Sequence, residues 1–79
     1  MEVLHEVQQI VSDLLDVDMN KITANTQQQD LPEWDSLAQL RIMNAIEQEF
    51  GVSPTMKQIS QLTSIPAIAE FVQSSSVRH

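Results

Sequence analysis

The chain has 79 residues, no cysteine and a formal charge of −7, from eleven acids against four bases. That excludes a disulfide framework, a thiolate metal site and a cysteine nucleophile, and fits a reducing, cytoplasmic setting. It also argues against nucleic acid, whose phosphates attract positive patches, and no apolar run approaches the ~20 residues of a membrane span.

One domain is expected. Its core is marginal, because a chain this small buries only about 60% of the surface it exposes when unfolded. The N-terminus, Met1-Glu2-Val3-Leu4-His5-Glu6, is not basic and runs into an amphipathic pattern, so no signal peptide is expected. The acidity suits encounter with basic protein surfaces, although it also serves simple solubility.

Residues 2–16 carry apolar side chains at Val3, Leu4, Val7, Ile10, Val11, Leu14 and Leu15. Steps of three and four predict an amphipathic helix with one buried stripe. Residues 17–34 lose that period and hold the turn formers Asn20, Asn25, Asp30 and Pro32, with Ile22 and Leu31 as anchors to the core. A loop this long in a compact domain is usually functional or disordered. Its first part holds a calcium-loop decoy. Asp16, Asp18 and Asn20 occupy the first, third and fifth positions of an EF-hand, but Lys21 stands where the glycine belongs and Gln27 where the bidentate Glu belongs. No metal is expected.

Residues 36–50 predict a second helix. At about 100° per residue, Ile42, Ile46 and Phe50 share one face, with Met43 at its edge. Leu37, Leu40, Arg41, Asn44 and Gln48 share the other. Gly51 is suited to end this helix with φ > 0, and Pro54 follows. Met56, Ile59 and Leu62 predict a short third helix. Thr63 or Ser64 caps a fourth, with Pro66 in its first turn and Ile65, Ile68, Ala69, Val72 and Phe71 on its buried side. Residues 73–79 read as a frayed tail. The domain is set at 1–74, with a flexible tail at 75–79. The fold expected is all-α: a small four-helix bundle of three main helices and one short one, with a long loop between the first two.

Little in this chain can do chemistry. His5 and His79 have no sequence neighbours that suggest a triad, and one glycine cannot make a phosphate loop. Ser36 is the exception, because it stands where the long loop meets the second helix. Ser36-Leu37-Ala38-Gln39 matches an S-x-x-Q capping box, so the serine could be a cap and nothing more. Asp35 is an equally good cap and suits the positive end of the helix dipole. If Asp35 caps, the Ser36 hydroxyl is free, and an anion attached there would sit near unpaired backbone N–H groups. Trp34 and Leu31 read as apolar anchors closing the loop. If buried, the indole N–H of Trp34 needs a partner.

Asp35-Ser36-Leu37, then a helix ending Glu47-Gln48-Glu49-Phe50-Gly51, in an acidic helical domain of this size, resembles an acyl carrier protein over nearly the whole chain. The resemblance implies that Ser36 carries a covalent 4′-phosphopantetheine arm, transferred from coenzyme A by a phosphopantetheinyl transferase. The arm's thiol would hold an acyl group as a thioester, which explains thiol chemistry on a chain without cysteine. The protein itself would catalyse nothing. It would act as a monomer, and Asp35, Leu37, Leu40, Arg41 and Asn44 would face its acyl-loading, condensing or modifying enzymes.

Three departures bear on the pathway. Leu31-Pro32-Glu33-Trp34 replaces the glycine-containing stretch that many fatty-acid carriers have. Arg41 stands where many have an acid, and Asn44 where many have an apolar residue. The chain is similar in this to free-standing carriers of polyketide or mixed pathways. A fatty-acid synthase carrier, a peptidyl carrier and an unmodified helical interaction module are the alternatives.

Overall fold

The computed structural model describes residues 3–76. It has four α-helices among them: α1 (Val3–Leu15), α2 (Ser36–Phe50), α3 (Met56–Gln61) and α4 (Ile65–Ser76). α1 packs against both α2 and α4, and α2 against α3. The all-α bundle expected from the sequence is the architecture observed.

The core follows from the helical stripes. Val7, Val11 and Leu15, four apart on α1, are buried against Ile42, Met43 and Ile46 of α2 and Ile65, Ile68, Ala69 and Val72 of α4. Met43, expected at the edge of its stripe, is fully buried, and Phe50 is only partly so. The cause is that α2 is gripped from two sides, which widens its buried arc.

Each helix end has a local cause. Asp16 turns the chain out of α1 with φ 57°, a left-handed conformation that Asp tolerates better than most residues. The Val17 N–H then donates to Ser12 O at 3.1 Å, the long bond of a Schellman ending, and Ser12 Oγ donates to Val17 O at 2.6 Å. Asp18, next in the calcium-loop decoy, precedes a single 3₁₀ turn at Met19–Lys21. Among the described residues, no three His, Cys, Asp or Glu side chains gather as a metal site would require. Gly51 ends α2 with φ 68°, its N–H donating to Glu47 O at 2.8 Å. Thr55 caps α3 reciprocally with Gln58, and Ser64 Oγ accepts from Ala67 N at 3.1 Å to cap α4. Met56, which helped predict α3, is 73% exposed.

Two irregular segments carry local structure of their own. The stretch before α2 is more ordered than its composition suggested. It holds the 3₁₀ turns Met19–Lys21 and Gln28–Asp30 and is stitched to the start of α4. Gln28 N donates to Thr63 O at 2.8 Å and Ile65 N to Thr26 O at 2.9 Å. Gln8 Nε2 of α1 also reaches Ile22 O at 3.1 Å. At the other end, α4 runs to Ser76, past the expected start of the tail, because no glycine or proline follows Pro66 to stop it. Residues 77–79, the rest of that tail and the place of His79, lie outside the described residues.

Candidate functional site

The N-terminus of α2 resolves the choice between two caps. Asp35 is the cap: its backbone is extended (φ −97°, ψ −170°), and its Oδ1 accepts from Ala38 N at 2.9 Å. Gln39 N then donates to Asp35 O at 2.9 Å, closing the first helical turn. Ser36 is therefore the first helical residue. It is exposed, and its hydroxyl makes no hydrogen bond to any described residue. The N–H groups of Ser36 and Leu37 are also without partners there, as expected for the first turn of a helix.

The S-x-x-Q box is not formed, because Gln39 is used elsewhere. It is only 6% exposed, and its side-chain oxygen accepts from Trp34 Nε1 at 2.7 Å. Its amide nitrogen donates to Ile59 O at 2.7 Å and Leu62 O at 2.8 Å. Both donors and one lone pair of the amide are thus satisfied. One side chain joins the loop, α2 and the end of α3. Trp34, 2% exposed, is anchored in the core as expected, and its indole N–H has found a buried partner. The sequence carried one signal for this clasp: a tryptophan five residues before a glutamine that falls near the apolar face.

On the outer side of α2, Leu37 is 67% exposed and Leu40 48%. Arg41 and Asn44 are exposed beside them. The structure therefore brings Asp35, Ser36, Leu37, Leu40, Arg41 and Asn44 onto one solvent-facing surface, running from the helix mouth down its first turns. Opposite this face, Ile42 and Ile46 are wholly buried. A large exposed apolar side chain is ordinary when alone. Two on consecutive turns, beside a free hydroxyl, give this end of α2 an exposed apolar surface.

Comparison with known proteins defines the class to which this bundle belongs. The family model described as phosphopantetheine attachment site matches residues 5–72. An acyl carrier protein of Thermosynechococcus vestitus (strain NIES-2133 / IAM M-273 / BP-1) is 29% identical over 73 residues, covering 92% of this chain and 90% of that one. The solution NMR structure of holo acyl carrier protein from Geobacter metallireducens superposes with a TM-score of 0.84, over 99% of this chain and 90% of that one. At 22% identity this match speaks for the fold. The chain belongs to the phosphopantetheine attachment site family, the family of acyl carrier proteins.

It is accordingly a carrier and not an enzyme, and the group it takes is covalently attached 4′-phosphopantetheine. Its partners are a phosphopantetheinyl transferase and the enzymes of its pathway. Among the described residues no helix is long and apolar enough to cross a membrane.

Proposed function

We propose that Ser36 is the attachment point and that the outer face of α2 presents the acyl cargo to partner enzymes. The observation that carries this is the division of labour at the helix mouth: Asp35 caps, Gln39 is buried, and the Ser36 hydroxyl is free and exposed. In transfer from coenzyme A, the Ser36 oxygen forms a bond to the phosphorus bearing pantetheine. The pyrophosphate bond breaks, 3′,5′-adenosine bisphosphate leaves, and the serine proton passes to a base of the transferase. The resulting phosphodiester charge lies beside the unpaired N–H groups of the first turn, where the helix dipole favours an anion. Asp35 works against this with its own charge, but that carboxylate is already engaged by Ala38 N. When bound, the group supplies a thiol that holds the acyl chain as a thioester.

Leu37, Leu40, Arg41 and Asn44 form the docking surface in this reading. Encounters there are weak and transient, steered in part by charge, and tethering raises the local concentration of cargo at a docked partner. The setting proposed is the cytoplasm, and the carrier a monomer. Intact mass before and after incubation with a broad-specificity transferase and coenzyme A tests the site. A gain of one phosphopantetheine mapped to Ser36, absent from Ser36→Ala, supports it; unimpaired loading of Ser36→Ala removes it.

For the pathway, we propose polyketide or mixed biosynthesis rather than fatty-acid synthesis. The support is Arg41 and Asn44, which lie on the exposed face and make it less acidic and less apolar than that of many fatty-acid carriers. The loaded protein offered to a reconstituted fatty-acid elongation system should be a poor substrate. Turnover equal to that of the system's own carrier would sink this finer reading and leave the carrier role intact.

A further inference from the structure

At Asp35, the residue before Ser36, the surface opens into a cleft of about 420 Å³. One wall is the loop from Gln27 to Asp35, and the other carries Thr63. The bridge between Gln27 and Ser64 fixes the two walls, with Gln28 N donating to Thr63 O at 2.8 Å. The cleft is therefore formed before anything enters it, which lowers the cost of binding.

Its lining is of two kinds. Leu31 and Pro32 supply apolar surface, over the buried Trp34. The side-chain amides of Gln28 and Gln29 and the hydroxyl of Thr63 supply donors and acceptors, and none of them makes a hydrogen bond to a described residue. A free anion would meet the Asp35 carboxylate on the wall. A long acyl chain would displace water from amides it cannot pair with, which is costly. The lining instead suits a neutral chain that alternates secondary amides with methyl groups, because each amide offers one donor and one acceptor to primary amides that offer both.

We propose that the pantetheine arm folds back from Ser36 into this cleft, its amides held by Gln28, Gln29 and Thr63 and its geminal methyls against Leu31 and Pro32. The proposal rests on Ser36 being the attachment point. Asp35 lines the cleft and immediately precedes Ser36, so the arm begins at the cleft's edge. A weak site suffices: a short flexible tether gives an effective concentration of the order of mM, so a dissociation constant of about 1 mM leaves the site about half occupied. The cleft then serves as a resting place between partners. The arm is partly shielded there, the cargo at its end stays outside, and a docking enzyme on α2's outer face draws the arm out.

The test uses the full chain, labelled with ¹³C and ¹⁵N and loaded by a transferase with unlabelled phosphopantetheine. The expected result is nuclear Overhauser contacts from the arm's geminal methyls to Leu31, Pro32 and the Gln28 side chain. Amide shifts should also differ from the unloaded form along residues 28–34 and at Thr63. The double variant Gln28→Ala/Gln29→Ala should gain the same mass but lose those contacts. A complete mass gain with shift changes confined to the residues flanking Ser36 overturns the cleft while leaving the carrier reading whole. A double variant with undiminished contacts overturns the role of the amides. A folded, unmodified protein that gains no mass overturns the attachment point, and the cleft proposal with it.

Discussion

The two sides of the first turns of α2 show opposite solutions to the problem of polar groups. On the inner side, Gln39, Trp34 and the carbonyls of Ile59 and Leu62 pair completely in a buried setting. Among the described residues no buried side-chain nitrogen or oxygen lacks a partner. On the outer side, three residues earlier, the Ser36 hydroxyl and two backbone N–H groups are left without partners among the described residues. The inner network holds the helix mouth rigidly against the loop and α3. That rigidity keeps the outer side open, because the residues able to satisfy Ser36 are committed elsewhere. The buried network and the proposed attachment point lie less than one helical turn apart, and substitutions should separate them.

The largest effects are expected on the inner side. Trp34→Ala should cost about 4 kcal/mol, the usual range for removing a buried aromatic side chain, and would bring a domain this small close to unfolding. Gln39→Ala should cost about 3 kcal/mol, because it strands the indole N–H and two carbonyls, each unsatisfied group being worth ~1–3 kcal/mol without full additivity. Chemical denaturation checks both. Trp34→Phe keeps most of the ring and removes the N–H, so combined with Gln39→Ala in a double-mutant cycle it isolates the indole–amide bond. A Gln39→Ala loss below about 0.5 kcal/mol would show that water replaces the side chain, and would erase the contrast between the two sides.

How much of this was legible in the sequence depends on the kind of interaction. The helices were legible because burial at Val7, Val11, Ile42, Ile46, Ile68 and Val72 follows a repeat that is local in sequence. The outer face was legible for the same reason, as the complement of the buried one. The role of Asp35 against Ser36 was not decidable from Ser-x-x-Gln alone. It depended on where Gln39 points, and hence on carbonyls at Ile59 and Leu62, twenty or more residues away. The order in the stretch before α2 was hidden similarly. Thr26 and Gln28 pair with the backbone of residues 63–65, and such pairing carries no side-chain signature. The extension of α4 to Ser76 was missed because polar residues and serines suggest a tail, while nothing in them forbids a further turn.

At the boundary between the two sides, Asp35→Ala should cost about 1 kcal/mol, the usual value of a lost cap. In a domain of this size that lowers Tm by roughly 4–8 °C. Asp35→Asn should recover most of it, since the amide oxygen still accepts from Ala38 N and only a few tenths of a kcal/mol of dipole interaction are lost. Ser36→Ala should change stability by less than about 0.5 kcal/mol while abolishing the mass gain with a transferase. A loss near 1 kcal/mol in Ser36→Ala, with Asp35→Ala silent, would reverse the assignment of cap and handle.

The smallest effect on stability is expected at Arg41, and it sharpens the comparison most. Arg41 is exposed on the outer face, and the wholly buried Ile42 follows it. Arg41→Glu should leave thermal and chemical unfolding within about 0.5 kcal/mol of the parent and take the charge two units further from zero. If the outer face is what partners read, the same substitution should change the rate at which a cognate enzyme acts on the loaded protein. Because exposed charges at a rim act mainly through association, that change should shrink as salt is raised. A stability loss of several kcal/mol would mean that this face packs against something. Unchanged partner kinetics at low salt would place recognition on another surface. Either result would break the division that the helix mouth displays, since it requires the residue least important to folding to be among those that partners feel.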